Sequence, residues 1–148
     1  MTERLPGAVL FACTENALRS PMAEVMLKHL HGRQVFVDSV GVRSGEPDGF
    51  AIEVMAELGM EMQAHKSKTF DDLDDTSFDL IVSLSPEAQH RAVEMTRSVA
   101  IELEFWHVFD PSLIEGSRER RLDAYREVRD DLFEKIQRRF PVIPVVDT

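Results

Sequence analysis

Apolar positions in this chain fall into short unbroken runs separated by longer periodic stretches. Ala8-Val9-Leu10-Phe11-Ala12-Cys13 is one such run, and its length and content predict a strand covered on both faces, as in a parallel sheet. A helical pattern follows. Ser20 is read as its N-cap and Pro21 as its first helical residue. Met22, Met26 and Leu30 recur on one face up to a stop at Gly32. Residues 34–39, around Val35-Phe36-Val37, predict a second strand. The stretch 41–49 holds Gly41, Gly45, Pro47 and Gly49 and reads as a loop. Residues 51–58 predict a helix with Ile52, Met55 and Ala56 inward and Gly59 as its cap.

The second half repeats the alternation. Residues 71–77 are an acidic connector, with Asp71-Asp72-Leu73-Asp74-Asp75 read as a solvated link. Residues 78–83, Phe-Asp-Leu-Ile-Val-Ser, predict a third buried strand, and Pro86 opens a helix reaching about Arg97. In 99–105, Val99, Ile101, Leu103 and Phe105 alternate with Ala100, Glu102 and Glu104, as on an edge strand with one face more exposed. The last helix covers 117–139, with Tyr125, Val128, Leu132 and Ile136 as its apolar stripe and Pro141 beyond its end. Strands alternating with helices predict a three-layer α/β fold, an open parallel four-stranded sheet with helices on both faces. Ligands of such sheets bind beyond the carboxyl ends of the strands, and the first strand ends at Cys13. No linker or repeat divides the 148 residues, so 1–148 is read as one domain.

Composition narrows the function. Lys plus Arg is 17 and Asp plus Glu is 27, a formal charge of −10, which argues against broad binding of nucleic acid or an anionic membrane. A local phosphate pocket remains compatible with that charge. Met1 to Pro6 lacks the pattern of a signal peptide, and the run ending at Cys13 is too short to span a bilayer. Cys13 is the one cysteine, which fits a reducing compartment. The expectation is a soluble cytoplasmic protein. Nothing in the pattern specifies its oligomeric state.

The candidate chemistry lies in Cys13-Thr14-Glu15-Asn16-Ala17-Leu18-Arg19-Ser20-Pro21. A short loop between a strand end and a helix start can turn successive N–H groups toward one centre and make an anion nest. The helix adds unpaired N–H groups and the positive end of its dipole. Arg19 can hold two phosphate oxygens with its planar fork. Cys13 would then sit at the base of the bowl as nucleophile. A free thiol has a pKa near about 8.5, and a helix N-terminus or a nearby cation lowers it by several units. Ser20 can donate to the sulfur, and Asn16 tolerates the left-handed backbone that a tight loop needs. A Cys-x5-Arg spacing alone is weak, since a lone Cys after a buried strand is more often a small core residue. Strand, spacing, Arg-Ser-Pro and amphipathic helix together agree on an anion cradle formed by Thr14, Glu15, Asn16, Ala17, Leu18, Arg19 and Ser20.

The segment Val9 to Glu24 resembles the signature of low-molecular-weight protein tyrosine phosphatases. The thioredoxin-coupled type of arsenate reductase shares that fold, with flavodoxin-like winding, and the loop. The resemblance extends to Ser39-Val40-Gly41, to Gly59–His65, to Phe78-Asp79-Leu80-Ile81-Val82 and to Asp110-Pro111. It implies that Asp110 acts as general acid and then as general base around a phosphocysteine, where plain Asp-Pro turn chemistry is the alternative. It implies that His65 holds Asn16, a surface loop histidine being the alternative. No cofactor or metal is implied, and His29, His31, His65, His90 and His107 show no ligand spacing. Phosphate, sulfate or arsenate would fit the loop, and a phosphoprotein or a small phosphomonoester is the expected partner.

Four residues depart from the family pattern. Glu15 replaces a usual Gly and is expected to face solvent, and Leu18 stands where a second Cys is common. The usual aromatic pair after Asp-Pro is replaced by Ser112 and Leu113, which removes aryl stacking from that loop. Ala17, at a position that tunes substrate choice, leaves phosphotyrosine and phosphoarginine both open. Arsenate reduction with an external thiol and redoxin is the alternative activity, and a non-catalytic anion sensor a third; Pro21 favours the phosphatase branch. His29 and His31 are read as solvated. Trp106 is read as packing, with a pocket wall as the alternative, and Phe50 is a second candidate for that wall from the loop after Gly41.

Overall fold

Strand β1, Ala8–Cys13, lies in the interior of the sheet and has five of its six residues buried. In the computed structural model, residues 5–62, 64–74 and 77–142 are described, so Met1 to Arg4, and Asp75 of the acidic connector, lie outside the described residues. Helix α1, Arg19–His31, returns the chain to β2, Phe36–Gly41. Helix α2, Gly49–Ala56, is followed by a 3₁₀ turn Phe70–Asp72 and by β3, Leu80–Ser83. Helix α3, Pro86–Met95, leads to edge strand β4, Glu102–Phe105. A 3₁₀ turn, Pro111–Leu113, precedes the long helix α4, Arg118–Arg139.

The sheet order is β2-β1-β3-β4, and every pairing is parallel. Successive β1 side chains point to opposite faces, so each face has its own core. Val9, Phe11 and Cys13 share one with Met22, Met26, Val54, Met55, Tyr125 and Leu132, from α1, α2 and α4. Leu10 and Ala12 share the other with Val40, Ile81, Ala88 and Ala92, the last two from α3. The three-layer open sheet is therefore the architecture, and the carboxyl ends of β1, β2 and β3 open on one side. No helix among the described residues is long and apolar enough to cross a membrane.

Several local expectations are corrected. Leu18, not Ser20, precedes α1 at its N-cap, and no side chain caps that end. The hydroxyl of Ser20 is used elsewhere. Asp48 caps α2, accepting from Phe50 N and Ala51 N at 2.9 and 3.1 Å. The inward face of α2 is Ala51, Val54 and Met55, while Ile52 is half-buried and Ala56 exposed. The inward stripe is set back by one residue because Ala51 and Val54 are the positions that meet the core shared with α1 and α4. β4 is an edge strand, but Phe105 is 42% exposed, and Val99 lies before the strand. Only Ile101 and Leu103 of the expected apolar face pack against the core. His31 is buried, with Nε2 2.7 Å from Phe140 O, because the ends of α1 and α4 meet there. Trp106 packs against Phe11 and Phe140, and Phe50 against Tyr125. Neither ring walls the cavity described below.

Helices α2 and α4 are also clamped by charge. Glu57 accepts from Arg126 Nε and Nη2 at 3.1 and 2.8 Å and from Arg129 Nη1 at 2.7 Å. Arg129 also donates to Val54 O at 2.9 Å. The guanidinium of Arg126 first, then that of Arg129, lowers the Glu57 carboxyl to about 2 from an ordinary 4.5. A lowered folded-state value adds stability above the ordinary carboxylate range and loses it as pH falls through that range toward 2. The carboxylate is 36% exposed, so solvent screens the effect. Glu57→Gln should therefore lower the urea midpoint at pH 7, and the gap from wild type should narrow steadily as pH is taken below 4.5. Urea titrations of both proteins across that range test this; a gap independent of pH would rule out the clamp as its cause.

Candidate active site

The chain leaves β1 at Cys13 and curls once before α1 begins at Arg19. Its carbonyls turn outward to a belt formed by residues 42–48. Cys13 O accepts from Val42 N at 3.2 Å, Thr14 O from Arg43 N at 3.0 Å, Glu15 O from Gly45 N at 2.9 Å and Ala17 O from Asp48 N at 3.2 Å. Ser67 Oγ adds a second donor to Glu15 O at 3.0 Å. The described peptides are all trans, and in a planar trans peptide the N–H points away from the C=O. The N–H groups of Thr14, Glu15, Asn16 and Leu18 consequently face the inside of the curl. Asn16 N lies 3.3 Å from Cys13 Sγ. Such convergent amides form an anion-binding concavity.

Two backbone conditions make the curl possible. Asn16 has φ +53°, a left-handed conformation that costs most residues about 1–2 kcal/mol and that Asn tolerates. Gly41, paired with Cys13 across the sheet, has the cradle lying directly on it. A Cβ there would meet Asn16 N at 2.6 Å, Glu15 C at 2.7 Å and Arg43 O at 2.6 Å. All three are backbone atoms, so nothing nearby could rotate out of the way.

Beneath the cradle runs a buried polar chain. Asn16 Nδ2 donates to Ser20 Oγ at 2.8 Å and to Ser39 Oγ at 2.9 Å. Asn16 Oδ1 accepts from Lys68 N at 3.0 Å and lies 3.0 Å from His65 Nε2. Ser39 Oγ donates to Glu24 Oε1 at 2.5 Å, and Glu24 is ion-paired with Lys28. Ser20 Oγ lies 2.9 Å from Cys13 Sγ and 3.3 Å from Val40 O. Ser20 and Asn16 are fully buried and His65 is 10% exposed, so His65 is no surface loop histidine.

Above the cradle, Arg19 Nη1 donates to Val108 O at 3.0 Å and to Leu84 O at 3.3 Å. These two carbonyls hold the guanidinium across the mouth. Its Nη2 is 4.0 Å from Asp110 Oδ2. Asp110 Oδ1 accepts from Ser112 N at 3.0 Å and Ser112 Oγ at 2.6 Å, which leaves Oδ2 toward the opening. Cys13, Arg19 and Asp110 thus line one cavity of about 260 Å³. Thr14, Glu15, Ala17, Leu18, Arg43, Asp48, Glu87 and Ser112 complete its wall.

The sequence-predicted residues therefore come together. Cys13 is 2% exposed at the floor. Thr14 donates to Ser85 Oγ at 3.1 Å, Glu15 is exposed at the mouth, Ala17 and Leu18 form the wall, and Asn16, Ser20 and His65 lie underneath. Among the described residues, no group of His, Cys, Asp and Glu side chains converges as metal ligands would. Sequence reasoning missed Glu24, Asp48, Arg43 and Glu87. Glu24 stands one helical turn after Ser20, a spacing that places both on one face. Asp48 carried a readable signal too, as an Asp just before a helical run. Arg43 and Glu87 meet at 3.2 Å across 44 positions, which no local pattern encodes.

A parallel α/β sheet with a thiol, inward amides and an arginine at the carboxyl end of an interior strand defines a cysteine-centred phosphoryl-binding enzyme fold. Residues 8–140 match the family pattern described as low molecular weight phosphotyrosine protein phosphatase, and the chain belongs to that family. It is 30% identical over 130 residues to the arsenate reductase of Bacillus licheniformis, covering 88% of this chain and 92% of that protein. The low molecular weight protein tyrosine phosphatase of T. tengcongensis superposes with a TM-score of 0.73 at 25% identity, over 88% of this chain and 95% of that one. A YwlE arginine phosphatase variant with a phosphorylated active-site serine gives 0.70 at 25% identity, over 88% and 91%.

Because backbone meets backbone at Gly41, Gly41→Ala should push the cradle off β2. Overpacking of this kind costs on the order of 1–3 kcal/mol. Added phosphate should also raise the melting temperature of the variant less than that of wild type. Thermal melts with and without phosphate measure both effects, and equal phosphate shifts would show that the cradle does not rest on this glycine.

Proposed function

We propose that this protein hydrolyses phosphomonoesters through a phosphocysteine, with phosphotyrosine in proteins as the first substrate class its family suggests. The observation that carries the reading is the single cavity shared by Cys13 Sγ, the inward amides, Arg19 and Asp110 Oδ2. The Cys13 thiolate attacks phosphorus, and the bond to the leaving oxygen breaks. Asp110 gives that oxygen its proton. Asp110, now a carboxylate, then takes a proton from water, whose oxygen attacks phosphorus. The S–P bond breaks, and phosphate and thiolate are released. Ser20 donates its hydroxyl to the departing sulfur. Arg19 and the amides hold the three equatorial oxygens in both steps, which positions the group and offsets its developing charge.

The mouth refines the substrate. Among the described residues its wall carries Glu15, Asp48 and Glu87 and no aromatic ring, so an aryl group is gripped through its phosphoryl end and not by stacking. Phosphoarginine, the substrate type named for the YwlE relative, stays within reach of the same wall. The protein works in the cytoplasm, where a lone thiol stays reduced.

Arsenate reduction is the second reading, supported by the Bacillus licheniformis relative. Cys13 would attack arsenic with loss of water. An external thiol would then attack the Cys13 sulfur, pass two electrons to arsenic and release arsenite. Cys13 is the only cysteine, so a second external thiol must reduce the resulting mixed disulfide.

Wild type should hydrolyse p-nitrophenyl phosphate. Cys13→Ser should lose at least about a thousandfold, and Asp110→Asn about a hundredfold or more. Rapid acid quench followed by mass spectrometry should find one phosphoryl group on Cys13. Thiol-dependent arsenite production without ester hydrolysis would replace this reading with the reductase. Anion binding with neither activity would replace it with a sensor.

A further inference from the structure

Tyr125 lies in the middle of α4 and is 1% exposed. Its ring packs on Phe50 at 5.3 Å between centroids. Its hydroxyl leaves the core and donates to Asp48 Oδ2 at 2.7 Å. The other oxygen of that carboxylate takes the Phe50 and Ala51 amides in the first turn of α2, and the Asp48 backbone donates to Ala17 O of the cradle. One residue thus ties α4, α2 and the cradle, and it stands in the wall of the cavity that holds Cys13 and Asp110.

The facing wall rests on the same helix. The turn Pro111–Leu113, directly after Asp110, packs against α4, with Pro111 buried. Helix α4 therefore carries both sides of the opening, one through the Asp110 turn and the other through the Tyr125 hydroxyl. Asp110 is otherwise held by its own turn, through Ser112, and by the 4.0 Å approach to Arg19.

We propose that Tyr125, acting through Asp48, is a positioning residue that sets the distance between the cradle and Asp110. The proposal rests on the hydrolase reading above. Burial, the hydrogen bond to Asp48, and then the charges of Asp48 and Asp110 all raise the phenol above its ordinary value. Tyr125 is thus a donor throughout the working range and is itself no acid or base. Without its hydroxyl, Asp48 Oδ2 loses its partner and the two walls lose their common anchor. A general acid works only within hydrogen-bond reach of the leaving oxygen. Small misplacements of that kind are expensive in rate. The loss should therefore follow the leaving group's need for a proton.

The test compares kcat/KM for phenyl phosphate, which needs protonation, with that for 2,4-dinitrophenyl phosphate, which scarcely does. Tyr125→Phe keeps the ring and removes only the hydroxyl. It should lower kcat/KM for the phenyl ester about tenfold, with a loss on the dinitrophenyl ester at least about fivefold smaller. Asp48→Ala, which removes the acceptor together with the α2 cap, should show at least the same selectivity, and adding Tyr125→Phe to it should cost nothing more, since the contact is already gone. Equal losses on the two esters, no loss on either, or additive single effects would overturn the proposal while leaving the hydrolase intact. Wild type that hydrolyses neither ester would overturn the hydrolase reading and this proposal with it.

Discussion

Four carbonyls at the end of β1 face away from the centre they surround, and the rest of the site is arranged around satisfying them. A buried carbonyl without a donor costs free energy comparable to a lost hydrogen bond. Residues 42–48 provide those donors, one amide for each of Cys13, Thr14, Glu15 and Ala17. Those bonds fix the opposite ends of the same peptides, the amides that face inward. The approach of belt and cradle leaves no room for a side chain at Gly41. It also fixes where α2 begins, because Asp48 is both the last residue of the belt and the cap of that helix.

An anion cradle in a chain of charge −10 is less of a contradiction than the total suggests. Inward amides carry partial positive charge at the site itself, within a few ångströms of the ligand position, whereas exposed carboxylates act through solvent and salt. Arg19 adds a full charge held by two carbonyls, and its side chain is 11% exposed. Glu87 at the rim is engaged with Arg43, both more than half exposed. Glu15 stays outside the bowl because the Glu15 amide faces in while its side chain runs out over Gly45. The family's usual Gly is thus replaced without placing a carboxylate among the amides.

What could be read in the sequence was what is encoded by neighbours. β1 is covered on both faces, and its unbroken apolar run said so. The Cys13 to Arg19 spacing spans one curl of backbone, and Asn16 was legible as the residue suited to its left-handed turn. Contacts between distant segments were not legible. Ser20 has the composition of a helix cap, but the curl turns its hydroxyl under Cys13, and that tertiary partner overrides the local one. Phe105 alternates with acidic residues as an inward residue would, yet at the end of the edge strand its ring meets the His107 ring edge-on and stays 42% exposed. His31 looked like a solvated helix end until Phe140 arrived from 109 positions away. The likeness to a known family supplied Asp110 and the pairing of His65 with Asn16, which spacing alone could not.

The polar chain beneath the cradle has a consequence for the proposed chemistry. Asn16 is fixed in one amide orientation, since Lys68 N must meet its oxygen and two serine oxygens meet its nitrogen. Ser39, which accepts from Asn16, has its own proton committed to Glu24. Ser20 also accepts from Asn16, so its one remaining proton has two destinations, Cys13 Sγ at 2.9 Å and Val40 O at 3.3 Å. A hydrogen bond to an ionised acceptor is roughly twice as strong as one to a neutral acceptor. With sulfur as thiolate, the proton turns to it. Once sulfur carries the phosphoryl group and its charge is gone, the carbonyl becomes the better acceptor. Hydrolysis restores the charge, and the proton turns back as the S–P bond breaks. On the proposed mechanism the same hydroxyl would follow the charge on sulfur and strengthen its hold in the step where sulfur is the leaving group.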